Sequence, residues 1–139
     1  MEIKDLESLA TRENINIINY KMKPKARIID KYIFIDYSQI HTSKDEKCTL
    51  AEELGHYYYD SYYTFNSSQE EIDRAEYKAL KWKSLACITP QSILNCFLKG
   101  ITNLFDVAEE LNVDANMVEF AYKYYINNNL LKTNAFTGI

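Results

Sequence analysis

The stretch LAEELGHYYYD, residues 50–60, decides how this chain is interpreted, because it has the pattern of an amphipathic helix with reactive side chains on its polar side. At about 100° per residue, Leu50, Leu54 and Tyr57 fall on one stripe, which we expect to face the core. The pattern predicts a helix over about 46–60. Three of the remaining positions in 50–60 are acidic, and they lie on the opposite side, so that side decides what the helix does.

One histidine and two glutamates occupy that polar side. Glu52 and His56 lie about 40° apart and Glu53 about 60° beyond His56, with Asp60 between those two. Side chains at i and i+4 can converge on one ion while the side chain at i+1 reaches water beside it. The stretch is one residue away from the zinc-protease motif His-Glu-x-x-His, with Glu52 in place of the first histidine. A solvated face of a surface helix is the alternative interpretation.

Two further residues favour a metal-binding site over a solvated helix face. Gly55 lies in the middle of the predicted helix, where glycine costs about 1 kcal/mol relative to alanine, so we expect another segment to approach its backbone closely. Glu76 lies at the edge of the apolar stripe of a later predicted helix, and a carboxylate turned toward packed surface needs a cation or a donor. Lys83 and Arg74 on the same helix are the structural candidates for that partner, and a metal ion is the functional one.

Length and composition predict one compact domain. The chain has 139 residues with 47% hydrophobic content, enough for one core and too little for two ordinary domains. Its net charge of -4 and scattered basic residues argue against nucleic acid as a direct partner. No signal peptide and no apolar run long enough for a bilayer is present, so we expect a cytoplasmic protein without a membrane partner. Cys48, Cys87 and Cys96 lack paired spacing and are expected to be free, buried thiols.

The order of predicted elements indicates an α+β fold, with a small three-stranded N-terminal sheet and a helical remainder. The strands are β-branched and aromatic runs, the last two joined tightly around Asp30-Lys31. The predicted strands cover 15–20, 26–30 and 32–37, and the predicted helices cover about 3–13, 46–60, 68–87, a segment starting at Thr89-Pro90, 103–111, and 114–126 with Asp114 as N-cap.

Three segments resemble the ImmA/IrrE-like metallopeptidases of phages, integrative elements and their bacterial hosts. They are CTLAEELGHYYYD at 48–60, EYKALKWKSLACITP at 76–90 and LFDVAEELNVDANMVEFAYKYY at 104–125, within a resemblance that covers roughly 32–126. The resemblance implies a single zincin-like domain over 1–139, with a C-terminal helical pair at 103–126, acting in the cytoplasm of a bacterial host.

The resemblance also implies a ligand set. His56 and Glu76 correspond to metal ligands and Glu53 to the base that takes a proton from the attacking water, while Glu52 stands at the place of the family's first histidine. The form AEELGH resembles the phage-encoded branch. Glu52, His56 and Glu76 together would bring a divalent ion near neutrality, which weakens its polarising effect. Oxygen-rich ligation also shifts the preference from zinc toward a harder ion such as manganese.

Two further residues are weaker candidates for lining the site. His41, the second of the two histidines, precedes the motif helix and is a candidate to supply an imidazole from the loop, with a solvated loop histidine as the alternative. Tyr59 is a candidate to line the cleft and donate to a substrate carbonyl, with a purely structural tyrosine as the alternative. Trp82 is expected to be a core anchor between the two motif helices.

Three functions remain open at this point. The first is a metal-dependent endopeptidase, for which the resemblance implies a helix-turn-helix repressor of a phage or mobile element as substrate. The second is a catalytically impaired zincin-like module that binds such a repressor or another phage regulatory protein. Glutamate at position 52 favours it, and Glu53 argues against it. The third is DNA binding through 103–126, where Lys123 alone offers a suitable cation in the second helix.

Overall fold

The structure is a computed structural model that describes residues 1–132. These residues form one α+β domain, in which a three-stranded sheet near the N-terminus is followed by helices, as predicted. The elements are α1 (Ile3–Arg12), β1 (Asn16–Asn19), β2 (Ala26–Ile29), β3 (Tyr32–Ile35), a 3₁₀ turn (Tyr37–Gln39), α2 (Ser43–Tyr58), α3 (Gln69–Cys87), α4 (Pro90–Leu98), α5 (Leu104–Leu111) and α6 (Ala115–Asn127).

The sheet has the strand order β1-β3-β2, with β1 parallel and β2 antiparallel to the central strand β3. Asp30 adopts a left-handed conformation (φ 53°) in the tight β2–β3 turn, which aspartate tolerates better than most residues. Ile28 pairs with Ile33, and both side chains are buried on the inner face, whereas Ile29 on the opposite face of β2 is 59% exposed. The inner face packs on the helices, and α2 contacts β2 directly.

The core lies between the inner face of the sheet and the helices. Leu50 and Leu54 of α2 are buried in it, as the apolar stripe predicted, together with Leu6 of α1 and Met117 of α6. The three cysteines are buried and free, also as predicted. Within residues 1–132, every helix is too short or too polar to cross a membrane.

Helices α2 and α3 touch through their backbones at Gly55. A Cβ atom placed on Gly55 would lie 2.9 Å from the Ala79 carbonyl oxygen, 3.0 Å from the Ala79 Cα and 3.3 Å from the Trp82 Cβ. The expected close approach to Gly55 is confirmed. Trp82 stacks on Tyr58 of α2, with ring centroids 5.1 Å apart, so the indole joins the two motif helices as expected.

The ends of the two motif helices are set by side-chain caps and a turn. The Thr42 side chain caps α2 by accepting from the Asp45 amide, and Ser68 with Glu71 forms a capping box at the start of α3. Helix α2 ends at Tyr58, and Asp60 lies beyond it in a left-handed turn (φ 49°). The prediction that Asp60 lies on the polar face of the helix is therefore wrong.

Gly55→Ala should destabilise the protein even though alanine is the better helix former. The added methyl group meets the Ala79 backbone, which cannot move aside without shifting α3, and overpacking of this kind costs about 1–3 kcal/mol. Chemical denaturation measures the loss. Gly100→Asn is the control, because Gly100 has open space around it and asparagine accepts its positive φ. A Gly55→Ala variant as stable as the parent would contradict the close contact.

Asp36→Asn should remove a pH-dependent part of the stability. Hydrogen bonds from the Ser38 and Gln39 side chains, with weaker help from the Met22 amide, lower the pKa of the buried Asp36 to about 2. The unfolded chain has a pKa near 3.9. The stabilisation is therefore fully present above about pH 4 and is lost as the pH falls through about 2.

Denaturation of the Asp36→Asn variant across pH 2–7 tests this expectation. The variant should be less stable than the parent at pH 7, and the difference should shrink toward pH 2. Asp30→Asn, the same chemical change in the exposed hairpin turn, is the control. A difference between Asp36→Asn and the parent that does not change with pH would count against this assignment.

Candidate functional site

The four residues singled out in the sequence line one cleft. Glu52, Glu53 and His56 come from α2 and Glu76 from α3, and they lie together around a space of about 100 Å³. The i, i+1 and i+4 spacing places the first three on adjoining faces of one helix, and the Gly55 contact brings α3 close enough to add the fourth. The remaining lining residues are Pro24, Ala26, Arg27, Ile28, Tyr62 and Tyr63.

His56 is buried and held by a backbone contact. Its Nδ1 atom lies 2.8 Å from the carbonyl oxygen of Ser61, which can only accept, so we infer that Nδ1 carries a proton. Its Nε2 atom lies 3.6 Å from Oε1 of Glu76. Burial opposes the charged imidazolium, but the bonds to Glu76 and Ser61 outweigh it and raise the pKa of His56. In the neutral ring the free lone pair is on Nε2, toward Glu76, as metal ligation requires.

Glu76 finds its partners in the cleft. The contact with His56 lowers the pKa of the Glu76 carboxyl against the opposing effect of burial, and a hydrogen bond with Tyr63 lowers it further. Arg74, one of the two partners considered from the sequence, instead bonds Glu70 at 3.0 Å. Lys83, the other, acts on Glu76 only through a weaker electrostatic attraction.

Glu53 is the most strongly perturbed acid of the cleft. Its side chain is 7% exposed, and burial raises the pKa of Glu53 to about 7, with His56 opposing the shift and Glu52 adding to it. A carboxyl group with a pKa near neutrality can accept a proton and release it again, which is the property of a general base. The burial of Glu53 and His56 also shows that the interpretation as a solvated helix face is wrong for these two residues.

Glu52 lines the cleft but is engaged elsewhere. Its Oε1 atom lies 3.2 Å from Nζ of Lys83, a lysine of α3 whose side chain is 9% exposed. Within residues 1–132, no group of three His, Cys, Asp or Glu side chains is arranged to hold a metal ion. His56 and Glu76 face each other across the cleft, whereas Glu52 is directed toward Lys83.

Tyr63 is a site residue that the sequence did not reveal. Its ring meets the imidazole of His56 edge-on, with centroids 5.9 Å apart, and its hydroxyl bonds Glu76. Burial and the neighbouring Glu76 carboxylate raise the pKa of Tyr63 to about 12, so the hydroxyl stays protonated as a donor. The guanidinium of Arg27 lies 5.4 Å from the centre of the same ring. Tyr63 lies in an irregular segment without periodicity, where no sequence pattern places side chains.

The two weaker candidates lie outside the cleft. Tyr59 caps the C-terminus of α2, is 38% exposed, and lines a separate groove with Arg74 and Tyr77. His41 is exposed and precedes the N-cap of α2, and the helix rises about 13 Å between its start at Ser43 and Glu52. The structure brings neither residue to Glu53.

Comparisons of the chain with protein-family models, with curated proteins and with solved structures find no match. The resemblance to ImmA/IrrE-like metallopeptidases therefore depends on the motifs alone.

Tyr63→Phe should raise the pKa of Glu76, because the carboxylate loses a hydrogen-bond donor that favours its charged form. A pH titration of carbon-13-labelled glutamate side chains by NMR measures the change. Tyr62→Phe is the matched control, since Tyr62 lines the same cleft but does not contribute to the shift of Glu76. An unchanged titration of Glu76 in Tyr63→Phe would contradict the assigned contact.

Proposed function

We propose that this protein is a metal-dependent endopeptidase of the ImmA/IrrE-like, zincin-like type, encoded by a phage or mobile element and acting in the cytoplasm of its bacterial host. The observation that carries the proposal is the combination of His56, with Nε2 turned toward Glu76, and buried Glu53, with a pKa of about 7, in one cleft. A histidine paired with a carboxylate, beside a buried carboxyl group whose pKa is near neutrality, is typical of a hydrolytic site.

Each residue of the cleft has a separate role in the proposed reaction. His56 and Glu76 would hold a divalent ion, zinc or manganese, with Glu52 as the third ligand. When bound, such an ion supplies Lewis-acid polarisation of the scissile carbonyl. Glu53 takes a proton from the attacking water and returns it to the leaving amine, which suits its pKa near neutrality. Ser61 orients His56 through its carbonyl, and Tyr63 orients Glu76 through its hydroxyl.

A larger groove beside the cleft supports a polypeptide substrate. The groove has a volume of about 930 Å³ and shares Arg27, Ile28, Tyr62 and Tyr63 with the cleft. Its far side includes Phe65, whose side chain is fully exposed. A space of this size is large enough for several residues of an extended segment, and it is also within the range of volumes found for small-molecule sites. A helix-turn-helix repressor remains the proposed substrate because of the motif resemblance.

The second candidate function is a catalytically impaired module that binds a repressor or another phage regulatory protein through the same groove. The ion pair between Glu52 and Lys83 favours it, because that pair withholds the third ligand. DNA binding through α5 and α6 is disfavoured, because the charge of Lys123 is compensated by Glu119 at 2.7 Å.

Metal content and cleavage, measured on the same preparations, test the endopeptidase proposal. Protein purified without chelator or histidine tag should hold close to one zinc or manganese ion by elemental mass spectrometry. His56→Ala and Glu76→Ala should lose the ion. Glu53→Gln should keep it but lose about 10²-fold or more of the cleavage of a helix-turn-helix repressor from the same element.

Glu70→Gln on the exposed side of α3 is the matched control for both measurements. It should leave metal content and cleavage unchanged. A protein that takes up neither ion would contradict the proposal. Stoichiometric metal without cleavage, combined with tight binding to the repressor, would establish the interaction module instead.

A further inference from the structure

Two cross-helix side-chain pairs flank the contact between α2 and α3. On α3, Glu76 and Lys83 are seven residues apart, about two helical turns, and so share one face. Glu76 meets His56 at 3.6 Å, and Lys83 meets Glu52 at 3.2 Å. Gly55 on α2 and Ala79 on α3 lie between the two pairs. One backbone contact therefore fixes the positions of both side-chain pairs.

Lys83 is a buried lysine beside the acidic cleft. It is 7% exposed, and a buried ammonium group is costly unless a counter-charge compensates it. Glu52 provides that charge. A polar cavity of about 320 Å³ adjoins the cleft at this point, and it shares Glu52 and Glu53 with it while Lys83 lines its other side.

We propose that Lys83 competes with a divalent metal ion for the carboxylate of Glu52 and thereby sets the metal affinity of the cleft. The inference depends on the proposed metal site at His56 and Glu76. The single negative charge of Glu52 would be shared between the ammonium group and a metal ion, so each cation would be compensated less than by Glu52 alone. Recruiting Glu52 to the metal weakens its pair with the buried Lys83, and that cost is subtracted from the binding free energy.

The same pair explains why position 52 is a glutamate. A histidine at this position would be neutral or cationic and would remove the carboxylate that pairs with the buried Lys83. Glu52 and Lys83 are therefore one coupled feature, and the departure from His-Glu-x-x-His is tied to a lysine 31 residues further along the chain. Restoring the histidine should accordingly require removal of the lysine as well.

Metal affinities of lysine variants test the competition directly. Zinc affinity is measured against a chromogenic chelator and manganese affinity by calorimetry, with circular dichroism to verify folding. Lys83→Met should bind about tenfold tighter or more, because the third ligand is released and a repelling charge removed. Lys78→Met, which removes an equal charge from the exposed side of α3, should stay within about twofold of the parent.

The dependence on Glu52 distinguishes competition from a general charge effect. The gain should disappear in the Glu52→Gln/Lys83→Met double variant. Glu52→His/Lys83→Met should bind zinc more tightly than Glu52→His alone. Lys83→Gln carries the same expectation as Lys83→Met and replaces it if the methionine variant does not fold.

The outcomes separate this inference from the proposed function. Metal binding that requires His56 but is unchanged or weaker in Lys83→Met overturns the competition and leaves the metal site intact. Binding that appears only in Lys83→Met supports the competition. An absence of binding in every variant, including those with histidine at position 52, overturns both.

Discussion

Direct backbone contact between α2 and α3 is the constraint on which the rest of the structure depends. Because Gly55 has no side chain, the two helices approach until its Cα faces the backbone of Ala79. Side chains that flank the contact are then forced into cross-helix pairs, His56 with Glu76 and Glu52 with Lys83. A larger residue at Gly55 would separate the helices and open both pairs together.

The sheet covers part of α2 and buries Glu53. Strand β2 contacts α2, and the backbone of Ile28 bonds Glu53, so a residue on the polar side of an amphipathic helix becomes buried. Burial then changes its chemistry by raising its pKa to about 7. The same packing orients His56 through Ser61. Glu53, His56 and Glu76 thus have different pKa shifts because their surroundings differ, although two of them are the same residue type.

Sequence reasoning succeeded where local rules apply. β-branched runs located the strands, the helix predicted over 68–87 corresponds to α3, and Gly55 indicated a close contact. It failed at the C-terminal end of α2, which the predicted helix extended to residue 60. The left-handed turn at Asp60 ended α2 early without a glycine to signal it.

The sequence likewise predicted some features of the cleft and missed others. The spacing of Glu52, Glu53 and His56 placed them on one helix. The position of Glu76 at the edge of an apolar stripe singled it out, the resemblance gave it a ligand role, and the structure brings it to the same cleft. Tyr63 was missed because it lies in an irregular segment. The engagement of Glu52 by Lys83 was missed because the two are 31 residues apart and no local pattern relates them.

The central claim is that His56 and Glu76 hold a divalent ion, and a crystal structure of the protein grown with zinc tests it most directly. Anomalous scattering at the zinc edge should show one peak in the cleft, about 2.0–2.2 Å from Nε2 of His56 and from a carboxylate oxygen of Glu76. A cleft without an anomalous peak, with His56 still paired to Glu76 at millimolar zinc, would contradict the account.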